Sequence, residues 1–458
     1  MIRRPVFLTG LFYLIILNVS MIVMNKIILF LLIIICNNLK LGAQLWTVTE
    51  KANMPLRTSN NAVSEGVSNG IPCVFSFAGI DSTKLFSGIH LKSFKYNTVY
   101  NIWQQLPDLP DTLGKIACAA SIVKNKIYII GGYHVYANGN EASSNKVHVF
   151  DPETNQFLDD ATNIPIAIDD QVQCVWRDSL IYVITGWSNT TNIPNVQVFN
   201  PSNNSWFAGS STPNTNVYKA FGAAGVIVGD TIFYYGGAST SNNFPAQKHL
   251  RIGIINHQNP ADIQWSSTVQ HVNNYRSVAT TDSLGNVYFF GGSATSYNYN
   301  GIAYNGSGGV TPIEQYQYFN SSNPSGISSV TVLLPMDLRG IANVSATKKY
   351  IVGGMEQGQL VSNKTLELNF VSALGEKSYQ KDELLFEIFP NPSNEFLLIH
   401  SNNLCIEYEI IDSQGLEVLT GKLNESNNKI NIDNLLPGKY YIRTSALKYP
   451  ILKFIKTE

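Results

Sequence analysis

IYIIGG, residues 127–132, is a run of β-branched and aromatic side chains that ends at two glycines. Five other stretches repeat it: VFSFAG at 74–79, IYVITG at 181–186, IFYYGG at 232–237, VYFFGG at 287–292 and YIVGG at 350–354. The last glycines fall at 79, 132, 186, 237, 292 and 354, so the successive gaps are 53, 54, 51, 55 and 62. Such a run reads as a buried strand, and a recurring period near 50 marks a repeat architecture. Each run follows turn chemistry, as at Asn69-Gly70, Asn125-Lys126, Asp178-Ser179 and Gly229-Asp230, which permits a tight hairpin. After the glycines come a variable loop, a third strand such as VHVF at 147–150, and a fourth carrying Trp103, Phe157, Trp206 or Trp265. Four antiparallel strands per unit make a propeller blade. The predicted fold is therefore all-β, a six-bladed β-propeller.

The sixth unit stops after its third strand, TLELNF at 365–370, while LWTVTEKANMP at 45–55 resembles IWQQLPDLP at 102–110. The N-terminal strand is thus expected to complete the last blade and close the ring, leaving no open sheet edge at the seam. The glycine pair, the spaced aromatic and the period resemble Kelch repeats over residues 45–370. Blades 1 and 3 depart from the pattern, with Ala78-Gly79 and Thr185-Gly186, and blade 5 lacks the usual Trp. The expected organisation is a leader region over 1–43, the propeller over 44–370, a polar linker over 371–383 and a further module over 384–458.

In that last module short alternating strands restart at 396–400, 406–411, 417–422, 429–432 and 440–444, the spacing of a small β-sandwich. FPNPS at 389–393, DSQGLEV at 412–418, LPGKYYI at 436–442 and KFIK at 453–456 resemble a type A C-terminal sorting domain of the type IX (Por) secretion system of Bacteroidetes. The resemblance implies that type IX machinery is a partner and that the protein is secreted or displayed on the outer-membrane surface, with attachment to lipopolysaccharide after sorting as one fate. An Ig-like adhesion module is the alternative.

The N-terminal region carries Arg3 and Arg4, an apolar run over 6–24, then Asn25-Lys26 and a second run over 27–36. From Met24 it reads as a signal peptide cleaved after Ala43, with Met24 as the true start. A membrane span over 6–24 is the alternative. Ile35 before Cys36 does not suit lipidation. Cys73, Cys118, Cys174 and Cys405 show no CxxC pairing and read as buried small hydrophobes rather than a metal or redox set. Lys+Arg 31 against Asp+Glu 32 gives a net charge of −1, which speaks against nucleic acid as a partner.

Blade hairpins are tight, whereas the loops joining second to third strands are long, so the face carrying those loops is the expected working face. Where each fourth strand returns to an innermost one, a basic residue recurs: Arg57, Lys115, Lys219, Arg276 and Arg339, with Gln171 in blade 3. A ring of cations at the channel mouth would bind an acidic sugar or peptide. The competing reading is a brace against carbonyls and carboxylates such as Asp111, Asp170 and Asp337. Tyr297, Tyr299 and Tyr304, in the longest loop, are candidates for stacking on sugars or a protein partner, or else pack on one another. The six histidines of the propeller read as scattered surface residues. No phosphate loop or HExxH is present, and no catalytic residue, metal or cofactor is predicted. The expected function is binding of a glycan or protein ligand outside the cell. The alternative is a carbohydrate-active enzyme resembling N-acetylneuraminate epimerase.

Overall fold

The computed structural model describes residues 45–282, 284–371, 386–401, 406–424, 427–444 and 452–457. The leader, most of the linker and Cys405 lie outside the described residues. The chain divides into two compact units, a propeller ending at Val371 and a C-terminal module.

Among the described residues, six antiparallel blade sheets follow one another through the propeller, with two two-stranded ribbons in its loops, Trp187–Ser188 with Thr191–Asn192 and Met355–Glu356 with Leu360–Val361. Blade 1 runs outward from the axis as Ala62–Ser68, Ile71–Ile80, Ile89–Asn97 and Ile102–Leu106. Blades 2 to 5 repeat that order, and their innermost strands are Ile116–Val123, Val172–Trp176, Phe221–Val228 and Val278–Thr281. Blade 6 consists of Lys348–Val352, Thr365–Val371 and, outermost, Leu45–Lys51. Its innermost segment is reduced to the bridge Ala342–Tyr350.

The closing strand pairs antiparallel with Thr365–Val371 over seven residue pairs, from Leu45 opposite Val371 to Lys51 opposite Thr365. Trp46, 3% exposed, packs edge-on to Tyr288 and Phe290 of blade 5 at 5.5 and 5.7 Å. The blade tryptophans have a repeated task. The indole N–H of Trp206 donates to Thr162 O and that of Trp265 to Ser210 O, in each case just past the outer strand of the preceding blade. Trp103 donates to Ala52 O, just past Leu45–Lys51. The chain terminus therefore occupies the position that the outer strand holds elsewhere.

The glycine pair is a matter of clearance. Gly236 has φ +72, and a Cβ there would strike the carbonyl of Asn274, where the outer strand Asn259–Asn274 of the same blade ends. Ala78 and Thr185 fill the equivalent places in the two departing blades and keep the left-handed backbone, at φ 55 and 48. Cys73, Cys118 and Cys174 are buried free thiols. Burial holds each above the usual thiol range.

The C-terminal module is a sandwich. Phe386–Phe389, Phe396–Ser401 and Asn427–Asn431 form one sheet, and Glu417–Leu423, Ile406–Ile411, Gly438–Thr444 and Leu452–Lys456 the other. Leu397, Ile399, Ile410, Leu423, Ile442 and Phe454 fill the space between them. The sequence landmarks sit at its joints. Asn391 donates to Lys453 O and accepts from the Ile455 N–H, while the Ser393 N–H donates to Ile455 O, which ties FPNPS to the terminal strand. The Asp412 carboxylate caps its turn by accepting from the N–H groups of Gln414 and Leu416.

Candidate functional site

The return loop of every blade places one residue in the left-handed region beside the axis: Asn60, Ala117, Asp170, Gly222, Arg276 and Asp337, with φ between 49 and 67. Backbone N–H groups link this ring blade to blade. Asn60 donates to Asp337 O, Asp170 to Ala117 O, Gly222 to Asp170 O and Arg276 to Gly222 O. Leu338 donates to Arg276 O, and the Ala117 N–H is met by the Asn60 side chain.

Set against this ring, the five predicted cations are out of phase. Arg57 and Lys219 lie three residues before the ring position of their blades and Lys115 two before, whereas Arg276 occupies it and Arg339 lies two after. They do not converge as a ring. Arg57 is exposed and donates to Val361 O at 3.0 Å. Lys219 is half-buried. Lys115 is buried against Asp111 at 2.5 Å and His148 at 3.3 Å.

Arg276 is fully buried. It grips Asp170 side-on, at 3.2 Å from Nε and 2.6 Å from Nη2, and reaches Asp337 at 2.9 Å. Tyr275 and Tyr297 stand over the guanidinium at 5.2 and 5.6 Å. Burial opposes its charge, but Asp170, Tyr275 and Asp337 outweigh burial and hold its pKa above the ordinary arginine value. Arg339 crosses from blade 6 to blade 3, donates to Gln171 O at 2.8 Å and lies 3.6 Å from Asp170. Lys115, Arg276 and Arg339 are thus engaged within the protein. These contacts are the brace geometry that was set against the ligand ring.

The loop tyrosines divide. Tyr297 is fully buried rather than exposed, perpendicular to Tyr275 at 5.1 Å. Tyr299 and Tyr304 are half-buried, and Tyr304 packs edge-on to Phe244 at 5.1 Å. Beside them Asp169 accepts the Ser143 hydroxyl at 2.5 Å. Burial, then the neighbouring Asp170 charge, raises the Asp169 carboxyl well above its ordinary range. Burial also raises Glu141. On this same face Leu85, Phe86, Leu113, Tyr136, Ile302 and Leu360 are exposed. His148 is no surface histidine: it is buried between Asp160 at 2.8 Å and Asp111 at 3.2 Å.

A cavity of about 370 Å³ runs along the axis on the other side of Arg276. The innermost segments of all six blades line it, from Gln171, Ser277 and Arg339 at one end to Glu65, Asp178 and Asn343 near the hairpin turns. Gln171 stands at the repeat position read from the sequence as facing the channel, whereas Ser277 carried no chemical signature in the sequence that marked it as lining a cavity.

Residues 117–159 match the Kelch motif family. Residues 387–456 match the family described as secretion system C-terminal sorting domain. Among solved structures, that of YjhT is similar, with 15% identity, a TM-score of 0.55 and coverage of 70% of this chain and 99% of that chain. That likeness concerns the fold alone. No curated protein matches the chain. The chain is a Kelch-type propeller with a type IX sorting domain, and the sorting domain indicates delivery to the cell surface or beyond.

Proposed function

We propose that this propeller is an extracellular recognition module that binds a glycan or protein partner through the face carrying its long loops. The supporting observation is the set of exposed apolar side chains that its loops carry. Leu85, Phe86, Leu113, Tyr136, Ile302 and Leu360 come from four blades and one connecting loop on a rigid closed ring, with Tyr299 and Tyr304 half-buried among them. Apolar groups gathered on one face of an exported protein mark a contact surface, and tyrosine serves both sugar stacking and protein contact. Lys219 and Arg57 are the cations left to meet an acidic group on the ligand. Binding of the full chain to a glycan array and to immobilised surface proteins, beside the Ile302→Asp/Leu360→Asp variant, tests the reading. Binding lost in a variant that melts normally supports it; a variant that binds as well as the native chain refutes it.

The enzyme alternative has one observation in its favour, the two carboxyls of raised pKa, Asp169 and Glu141, near Tyr304. Turnover of N-acetylneuraminate or another acidic sugar that is lost in Asp169→Asn, with Glu141→Gln as second variant, would favour it over the binder.

A further inference from the structure

The outer strand of blade 4, Asn259–Asn274, is 16 residues long, whereas the other outer strands run from 2 to 9. It forms the edge of its sheet. From Ile263 opposite Ile255 to Val269 opposite His249 its register is unbroken. One end of that edge is covered, because the Ile263 N–H donates to the Ser210 hydroxyl at 3.1 Å and the Trp265 indole to Ser210 O at 2.9 Å. The Ile263 N–H thus points away from the sheet. Strand alternation turns the backbone N–H and C=O groups of Trp265, Ser267 and Val269 the same way. Among the described residues no hydrogen bond meets those groups. Natural edges are blunted by short strands, charged residues, proline or bulges. Residues 263–274 contain no Lys, Arg, Asp, Glu or Pro, and the register shifts only past Val269.

We propose that two copies of this chain pair edge to edge through this strand, antiparallel and centred on Ser267. The sequence is complementary to itself about that residue. Ser267 meets Ser267 of the second copy, and Trp265 falls opposite its Val269. These are the residues whose N–H and C=O groups point outward, so each pair exchanges both N–H···O bonds. An aromatic ring opposite a β-branched side chain is a favourable cross-strand pair, and so is Ser266 opposite Thr268. Other centres serve less well. Pairing about Trp265 calls on Ile263, which Ser210 already meets, and pairing about Val269 reaches past the register shift.

Charge fits a second copy. Asp262 precedes the free strip, and the exposed Lys248 stands at its far end, beside the His249 that lies opposite Val269. Antiparallel pairing carries the acid of each copy towards the lysine of the other and sets no like charges across the seam. Val269, 62% exposed in the single chain, comes under the Trp265 ring of the second copy. So short a strip buries less than the roughly 1,200–2,000 Å² of a stable interface. The dimer is therefore weak and forms where the chain is concentrated, as on a surface to which the sorting domain delivers it.

The test is sedimentation equilibrium of the full chain up to about 0.3 mM, with disulfide trapping beside it. The native chain should show a monomer–dimer equilibrium. Ser267→Lys sets two ammonium groups face to face and should weaken it about tenfold or more. Under oxidation Ser267→Cys should give a disulfide-linked dimer, because only the central residue faces itself. Val269→Cys lies about 13 Å along the strand from its counterpart and should not, with the native chain as control for its own thiols. Ile302→Asp/Leu360→Asp should dimerise like the native chain, so this contact and the proposed recognition face fail separately. If Ser267→Lys does not fold, the two cysteine variants decide. A native chain still monomeric at that concentration, a Ser267→Lys variant that dimerises equally, or Val269→Cys cross-linking as fully as Ser267→Cys overturns the proposal. So does a monomer that instead takes up a short Val/Thr-rich strand peptide at this edge.

Discussion

Replacing Arg276 with Met should destabilise the propeller severely while keeping its shape. Arg276 contacts two carboxylates whose side chains are 2% and 0% exposed. Without the guanidinium, Asp170 and Asp337 are left as buried anions flanking a thioether. Removing one partner of a buried pair costs about 3–5 kcal/mol, and two orphaned acids put this case at the upper end. At roughly 2 °C per kcal/mol for a large domain, the melting temperature should fall by about 6–10 °C. The sign with pH follows from the same contacts. Burial already holds the Asp337 carboxyl above its ordinary range with Arg276 in place, and losing that cation should raise it further, so protonation favours the folded state and stability should recover as pH falls from 7 towards 5. Arg276→Met/Asp170→Asn/Asp337→Asn removes the charges together and should regain most of the loss. Circular-dichroism melts of the three proteins across that pH range are the assay. A single variant melting within about 2 °C of the native protein, or a triple variant no better than the single, would refute the account of the triad.

Other consequences are as direct. Trp46→Ala should cost about 3–5 kcal/mol by emptying a buried aromatic site, read as a lower denaturation midpoint; an unchanged midpoint would mean that the closing strand contributes little. His90, with its pKa lowered to about 4 by burial despite Asp81 and Asp108, is neutral in the folded protein. The unfolded chain binds its proton first, so stability falls as pH drops from about 6.5 to 4. His90→Gln should flatten that slope, and an NMR titration of His90 with a midpoint near 6.5 would contradict it. Truncation after Val371 should leave the propeller folded but retained in the periplasm, by cell fractionation; normal surface delivery would argue against sorting by the C-terminal module.

The strands and the closing segment were legible because they depend on local pattern. A β-branched run ended by two glycines is a statement about neighbours in sequence, and the clearance at Gly236 shows why the glycines are there. The channel groups were not legible, because their partners are remote. Arg276 meets Asp170 across 106 residues and Asp337 across 61. Return loops of unequal length also shift the phase, so basic residues that look equivalent when counted back from each strand fall at different heights along the axis. Tyr297 misled for another reason. Its Gly- and Asn-rich surroundings suggest an open loop, yet the backbone folds back at the bridge Tyr297–Ala303 and drives that ring under Arg276.

The Thr47 hydroxyl donates to a carbonyl 322 residues further along. Closure is therefore the most non-local event in the fold, and such contacts form late because the intervening loop must be ordered first. The earliest strand of the propeller has to wait, its edge unpaired, until Thr365–Val371 exists to receive it. The sorting module begins after that receiving strand. Any chain long enough to display the address already contains everything needed to close the ring, so a prematurely ended propeller carries no address at all.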